Sequence, residues 1–223
     1  MNVGARPKPL VIALAVVAIA IIAYWGYSAH KKRAFDATTV AAIQDSSQRL
    51  RAALTLAAGP PEAATMSTAE KISTDAEEVD RRLQALRRAR TTPDMALADA
   101  ADSYLLTVRE LLKRIAGTQR HRLMLAESTA ALRDHLRIDT RTGAWVSEAV
   151  RSKARMDKDF RNLRIDSEMV DQLLESFHQS QDKIVPFVDS SAFIDENLVA
   201  DARKRTGATL KKAAVETKSF RLH

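Results

Sequence analysis

Apolar positions along the chain recur at alternating steps of three and four residues. The first such stripe occupies positions 40, 43, 47, 50, 54 and 57, where only Ser47 is polar. Comparable stripes start at Ile72 and at Leu97. Two-residue alternation is absent over any useful length, which disfavours a sheet. The pattern predicts an all-α protein, an antiparallel helical bundle whose coiled-coil-like seams each need an apolar partner.

Glycine and proline are scarce and clustered, so they mark the expected helix ends. Breaks are expected at 59–61, 92–94, 139–143, 186 and 207. Ser67 and Glu70 have capping-box spacing and predict the start of the second helix. Because no proline or glycine lies between Ala29 and Ala58, we expect one helix from about 9 to 57.

The region around Gly117 allows two interpretations. Lys113 and Arg114 before this glycine are typical of a helix C-terminus, where cations face the last carbonyls. The apolar stripe nevertheless resumes at Leu125. One helix over 93–138 and a hairpin at 117–119 both remain open, and the lack of a second turn residue favours one helix.

The second half of the chain predicts two further helices and a less regular end. One helix is expected over 144–164, with Val146, Val150 and Phe160 near one face, and Asp166 or Ser167 is expected to cap the next. The segment 187–194 is the least helical and is expected to lie as a loop over the bundle end. The basic segment after it is expected as a helix or, preferably, a solvated tail.

An uncharged, almost wholly apolar run extends from Pro9 to Gly26. As a helix it would be roughly 27 Å long, close to a hydrocarbon core of ~30 Å. Amphipathic rings, which prefer the headgroup level, gather at its end in Tyr24, Trp25 and Tyr27. A cleaved signal peptide fits less well, because the run is long and its one small-residue cleavage site has aromatic neighbours. We therefore predict an uncleaved signal anchor, a single transmembrane helix continuing into the bundle.

The predicted organisation has five parts. They are a tail at 1–8, a transmembrane anchor at 9–29, a stalk or first bundle helix at 30–58, a helical bundle at 59–185, and a loop with a basic C-terminal helix or tail at 186–223.

Membrane orientation is only weakly indicated by the flanking charges. A short tail carrying Arg6 and Lys8 most simply stays in the cytoplasm, whereas the cluster Lys31–Arg33 argues for the opposite orientation. We expect a single-pass protein of the inner (cell) membrane, with its C-terminal domain outside the cytoplasm. The chain has no cysteine, so the redox compartment is not constrained.

The charge balance disfavours nucleic-acid binding. The chain carries 35 basic and 28 acidic residues, a net charge of +7. The excess belongs to the two ends, because residues 34–200 have 23 basic and 26 acidic residues. A nucleic-acid domain would instead carry its basic excess on a folded face.

No catalytic, metal or cofactor site is predicted. Glu175 and His178 have the Glu-x-x-His spacing of carboxylate di-metal bundles, but no second copy of the motif accompanies them. His121 and His135 could form a pH-sensing pair, although two ordinary surface histidines are favoured. Nucleophile elbows and phosphate-binding glycine loops are absent from the sequence.

Two further groups of residues have an ordinary structural interpretation beside a functional one. The acidic run from Asp75 to Asp80 lies next to several arginines, which favours a solvated helix face with i,i+4 ion pairs over an acidic binding face. Tyr104 and Trp145 could line a ligand pocket, but aromatic residues at helical spacing usually belong to the core.

These observations favour a non-enzymatic, membrane-anchored helical interaction or scaffold protein of a cell envelope. Its expected partners are membrane lipid, bound through the N-terminal helix, and a protein partner or a second copy of the chain. The alternative is an extracytoplasmic helical-bundle ligand sensor working with a partner subunit, and a metal-dependent enzyme is a third, weaker hypothesis. The seam positions expected to contact a partner are Val40, Ile43, Leu50 and Leu54.

Overall fold

A computed structural model describes residues 9–60, 64–90, 96–138 and 142–220, with side chains from Val17 onward. Within these residues the chain forms five α-helices and no strand, which confirms the all-α prediction. The helices are α1 (Pro9–Ala58), α2 (Met66–Ala89), α3 (Ala96–Leu136), α4 (Gly143–Asp182) and α5 (Glu196–Ser219), with a short 3-10 helix at Ser190–Ala192.

The first helix has the extent that the sequence predicts. α1 is continuous over 50 residues and ends before Gly59, whose amide donates to the carbonyl of Leu56 at 3.3 Å. Its second half, from Phe35 onward, packs into the bundle, whereas side chains 17–34 are all exposed.

The predicted transmembrane anchor at 9–29 is not supported by the described residues. Over that part of the chain, no helix combines the length and the apolar character that a bilayer crossing requires. The predicted tail at 1–8 lies outside the described residues, as do the side chains of 9–16.

Both long central helices are continuous. α3 passes through Gly117 without interruption, as favoured from the sequence. The prediction that Asp166 or Ser167 caps a separate helix is wrong, because α4 runs unbroken from Gly143 to Asp182. No glycine or proline lies within 144–185, and the Asp166 carboxylate accepts from Arg114 of α3 instead of from free amides.

Helix starts are close to the predicted positions, but the capping residues differ. At the start of α2 the side chain of Thr65, not Ser67, accepts from the amide of Thr68 at 3.1 Å. The Thr68 hydroxyl accepts in return from the Thr65 amide at 2.9 Å, which completes a capping box two residues early. At the start of α4 the Thr142 side chain accepts from the amide of Trp145 at 3.2 Å. The predicted turn residues 92–94 and 139–141 lie outside the described residues.

Ion pairs and hydrogen bonds between helices show that successive helices run antiparallel. Asp80 of α2 accepts from Arg109 of α3 at 2.6 Å, and Arg87 pairs with Asp102 further along. α3 and α4 are joined by Arg114 with Asp166 and, beyond them, by Thr107 with Ser180. α3 is 41 residues long, about 62 Å at 1.5 Å per residue, so the bundle is elongated.

The buried apolar residues form two separate clusters along this length. The large core joins the second half of α1, α2, the first half of α3, the second half of α4 and the start of α5. The small core joins only the remaining halves of α3 and α4 with the end of α5, through Leu125, Leu132, Met156, Leu163 and Ala213.

The C-terminal region is more ordered than predicted. The expected loop is present: Arg51 donates to the carbonyls of Ser191 and Phe193, and Ile194 is buried at the bundle end. The expected break at Gly207 and the preferred solvated tail are wrong, because α5 continues to Ser219. Its residues Val199 and Ala202 belong to the large core, which holds the segment as a helix.

Candidate interaction surfaces

The four seam residues predicted to contact a partner lie inside the bundle. Ile43, Leu50 and Leu54 are fully buried in the large core, and Val40 packs against it while remaining partly exposed. The apolar partner that the seam requires is therefore supplied by other helices of the same chain. A role of these residues in binding another molecule stays a prediction, and the surfaces for such a molecule lie elsewhere.

The single polar residue of this seam has a specific partner in the core. The Ser47 hydroxyl donates to the carbonyl of Ile43 at 2.8 Å and accepts from the hydroxyl of Tyr104 at 2.7 Å. Tyr104 also contacts Phe177, with ring centroids 5.8 Å apart. Burial raises the pKa of Tyr104 to about 12, although the hydrogen bond with Ser47 acts in the opposite direction. Tyr104 is thus a core residue near the start of α3. Trp145, in the first turn of α4, lies beside the opposite end of α3, so the two aromatic residues do not line a common pocket.

A polar cluster separates the two cores where α3 crosses α4. The Asp166 carboxylate accepts from Arg114 Nη1 at 3.0 Å and lies 3.6 Å from His121 Nε2. Gly117 leaves the room for it, because a Cβ atom there would overlap the carboxylate of Asp166. The hydrogen bond to Asp166 raises the pKa of Arg114. The cluster fixes the register of the two helices, and sequence spacing gave no signal for it.

The two histidines considered as a pH-sensing pair have separate surroundings. His121 faces Asp166, whereas His135 stacks on Trp145 with ring centroids 5.1 Å apart. The Trp145 indole donates to the His135 carbonyl at 3.1 Å, and a His135 ring nitrogen lies 2.9 Å from the Trp145 carbonyl. This arrangement closes the end of the bundle where α3 turns into α4.

The Glu-x-x-His motif is not directed into the bundle. Glu175 is 73% exposed and lies 3.9 Å from Arg203 of α5, while His178 is half-buried beside Phe177. In the described part of the chain, no group of three or more histidine, aspartate or glutamate side chains could hold a metal ion.

The acidic run on α2 is engaged in ion pairs. Glu78 forms the predicted i,i+4 pair with Arg82 at 3.1 Å. Asp75 and Asp80 instead reach Arg49 of α1 and Arg109 of α3, so they join helices. The hydrogen bond from Arg109 lowers the pKa of Asp80. The acidic run thus forms ion pairs within α2 and between α2 and its neighbours α1 and α3.

A stretch of exposed apolar side chains lies on the part of α1 that precedes the bundle. Its big side chains are between 53% and 73% exposed, namely Val17, Ile19, Ile21, Ile22, Tyr24, Trp25 and Tyr27. A basic cluster follows directly, and Lys31 Nζ lies 4.8 Å from the centroid of the Tyr27 ring. Contiguous apolar surface of this kind marks a site of contact with lipid or protein.

A second open surface is a groove of about 570 Å³ between α4 and α5 beside the small core, here called the α4–α5 groove. Apolar side chains including Phe160, Leu210, Ala214 and Phe220 line it, together with Lys153, Asp157, Arg164, Thr217, Lys211 and Lys218. Of the residues predicted to share one face of α4, Phe160 lines this groove, whereas Val146 and Val150 do not. The sequence gave no indication of the α5 side, because that segment was expected to be a tail.

Comparison with protein-family models, with curated proteins and with solved structures finds no match to this chain.

Proposed function

We propose that this protein is a non-enzymatic scaffold of the cell envelope, attached to membrane lipid through the first part of α1. Its helical body presents a rigid surface to a protein partner or to a second copy of the chain. The observation that carries the proposal is the division of α1: one unbroken helix is packed in the core from Phe35 onward and has large exposed apolar side chains between Val17 and Tyr27.

The division of α1 supports rigid attachment. A helix built into the core by Ile43, Leu50 and Leu54 cannot swivel freely relative to the bundle. Whatever holds residues before Phe35 therefore also sets the direction of the bundle. The exposed part covers 18 residues from 17 to 34, about 27 Å, which would hold the body clear of its point of attachment.

Lipid is the proposed occupant of the exposed part because of the order of its residues. Removing each large apolar side chain from water contributes about 1.5–3 kcal/mol. The aromatic residues Tyr24, Trp25 and Tyr27 come next, and Lys31, Lys32 and Arg33 follow them. Aromatic rings favour the interface, and each cation near an anionic headgroup contributes about 1 kcal/mol.

Membrane attachment is tested by alkaline carbonate extraction of cells that produce the full chain. We expect the wild-type chain in the membrane pellet and an Ile19→Glu/Ile22→Glu variant largely in the supernatant, because two carboxylates oppose burial in lipid. The matched control is Ala37→Glu/Ala41→Glu, two exposed positions on the same helix nearer the bundle, which should stay in the pellet. Wild-type chain in the supernatant, or an N-terminus found near Ser28, contradicts the proposal.

The side of the membrane is tested by cysteine labelling, which the absence of native cysteine makes direct. Gly207→Cys places a thiol on exposed α5, where an added Cβ meets nothing within 4 Å. We propose that the body is exported, so an impermeant maleimide should label this thiol in intact cells whose outer barrier is opened. The wild-type chain, which has no cysteine, is the control and should not react.

A further inference from the structure

We infer that the α4–α5 groove binds an acidic amphipathic helix of a partner protein. This names the partner class of the proposed scaffold and rests on the helical body being its binding surface. It does not depend on attachment to lipid.

The groove lies where the bundle has the fewest helices. At the large core, α1 and α2 cover faces of the bundle that three helices alone would leave open. At the small core only α3, α4 and α5 pack together, and its five buried apolar residues include one from α5, Ala213. A fourth helix laid between α4 and α5 would complete packing of the kind that the other end already has.

The α4 side of the groove combines apolar and charged residues on one helix face. Positions 146, 150, 153, 157, 160 and 164 follow one another at alternating steps of four and three residues and hold Val, Val, Lys, Asp, Phe and Arg. A bound helix would pack on the three apolar positions and on the alkyl parts of the long charged side chains. Val146 and Val150, which are 50% and 55% exposed, extend this face beyond the groove toward the start of α4.

The length of the groove also fits a helix. Its lining residues reach from Lys153 to Arg164 on α4 and from Leu210 to Phe220 on α5. These stretches are about 15–17 Å at 1.5 Å per residue, or three turns. Recognition of a helix in a groove uses anchors spaced over two to three turns.

The charges on the rim select an acidic partner. Lys153 and Asp157 neutralise each other at 2.5 Å, and Arg164 lies 3.8 Å from Glu168. On the α5 side, neither Lys211 nor Lys218 forms an ion pair with any of the described residues. These two cations are seven residues apart, two turns of one helix face, so they match carboxylates at the same spacing on a bound helix.

The apolar side chains at the bottom of the groove, here called its floor, favour a helix with apolar residues over a polyanion that carries charge alone. Phe160 and Phe220 pack against the small core and also line the groove, so apolar side chains of a ligand would continue that core. We therefore expect binding to need both features: apolar residues at three- and four-residue steps, and glutamates beside them.

The test uses the full chain in detergent and a fluorescein-labelled synthetic peptide, measured by fluorescence anisotropy. The peptide is a 21-residue helix with leucine at seam positions and glutamate at flanking positions seven apart; a scrambled peptide has the same composition. We expect the patterned peptide to bind at least tenfold more tightly than the scrambled one. Equal binding of the two peptides overturns the proposal, as does the absence of binding.

Two variants of the protein test separately how the lysines and the apolar floor of the groove contribute to peptide binding. Lys211→Glu/Lys218→Glu should weaken binding of the patterned peptide at least tenfold, whereas Arg205→Glu/Lys212→Glu, the same change on another face of α5, should change it less than threefold. Ala214→Arg adds a cation but fills the floor, so it should also weaken binding. If Ala214→Arg strengthens binding, a purely electrostatic surface replaces the proposed groove.

Two other occupants would give different results. Displacement of the patterned peptide by phosphatidylglycerol but not by phosphatidylcholine, each added as mixed micelles with the same detergent, would assign the groove to lipid and overturn the proposal. Sedimentation equilibrium that shows a dimer, converted to monomer by Lys211→Glu/Lys218→Glu alone, would assign it to a second copy. Carbonate extraction of the same variants reports lipid attachment separately: peptide binding by a chain that fails to reach the membrane pellet would retain this inference and reject the attachment.

Discussion

The two ends of the bundle are built from the same helices α3 and α4, yet they bury very different amounts of apolar surface. The large core contains 27 buried residues from five helices and the loop before α5, and the small core contains five from three helices. The first half of α3 has neighbours on several sides, whereas its second half has α4 on one side and α5 on another. Where helices are few, side chains that could pack inward remain at the surface, and an open groove results.

The comparison shows how one long helix can serve two purposes. The polar cluster of Asp166, Arg114 and His121 lies between the cores and holds α3 and α4 in one register. On one side of the cluster, α3 is surrounded by other helices in the large core. On the other side, it belongs to the small core beside the α4–α5 groove. Fewer neighbours lower the stability of a region and leave it free to bind.

The largest expected effect comes from truncating equivalent leucines in the two cores. Leu111 and Leu132 are both fully buried on α3, one in each core. We expect Leu111→Ala to lower the free energy of unfolding by about 4 kcal/mol and Leu132→Ala by about 2.5 kcal/mol, because a thinly covered site closes more easily around a cavity. Urea denaturation followed by circular dichroism measures both. Equal losses would show that the cores are packed alike.

The next effect is specific to the large core and depends on pH. The pKa of Tyr104 is raised to about 12 in the folded chain, so the neutral phenol contributes fully to the free energy of unfolding below pH 10. As pH rises from 10 to 12, the free energy of unfolding falls by about 3 kcal/mol for a shift of two pKa units, because the phenol of the unfolded chain ionises first. Tyr104→Phe removes this titration, so the stability advantage of wild type over the variant should decrease through that range. A constant difference between the two chains would contradict the assignment.

The hydrogen bond between Ser47 and Tyr104 should give an asymmetric pair of variants. Tyr104→Phe leaves the Ser47 hydroxyl bonded to the Ile43 carbonyl, so we expect the free energy of unfolding to fall by about 1 kcal/mol. Ser47→Ala leaves a buried phenol without its acceptor, so we expect the free energy of unfolding to fall by about 2 kcal/mol. Denaturant midpoints at neutral pH compare the two, and a larger loss for Tyr104→Phe would contradict this direction of donation.

The junction between the cores is tested with two glycines. Gly117→Ala forces the Asp166 carboxylate away from Arg114, and we expect a net loss of about 1 kcal/mol after the gain in helix propensity. Gly207→Ala, whose Cβ meets open space in the middle of α5, should instead stabilise by up to about 1 kcal/mol. In an Asp166→Ala background Gly117→Ala should become stabilising, because the clash is gone. Thermal unfolding of the four single and double variants measures this coupling.

The smallest expected effect is at the outer end of the small core. Arg133 pairs with Glu216 at 2.9 Å and stands over the Phe220 ring, but both charged side chains are nearly half-exposed. Arg133→Ala should therefore change the free energy of unfolding by no more than about 0.5 kcal/mol in 0.15 M salt. A loss above 1.5 kcal/mol would mean that this end depends on the pair more than on its apolar contacts.

Much of the secondary structure could be predicted because its signals are local. Unbroken helical spacing gave α1 its extent and favoured continuity through Gly117, since a lone glycine costs a helix only about 1 kcal/mol. Local signals failed where distant residues decided. Asp166 and Ser167 resemble a cap, yet an arginine 52 positions away holds Asp166 inside α4.

The interaction surfaces were harder to predict, because a seam in the sequence does not say what covers it. Val40, Ile43, Leu50 and Leu54 have the spacing of a partner-binding face, and the structure covers them with helices of the same chain. The α4 seam through Val150 and Phe160 has a similar spacing and remains open. Only the positions of the other helices distinguish the two.

The sequence by itself determined that the chain is helical, that α1 is long and unbroken, and that an apolar run precedes a basic cluster in it, since helical period and turn residues act over a few positions. The tertiary structure alone decided that the apolar residues divide into two unequal cores, that Asp166 lies against Gly117, and that a cationic groove opens between α4 and α5. These features depend on contacts between residues far apart in the chain, which spacing within one helix does not encode.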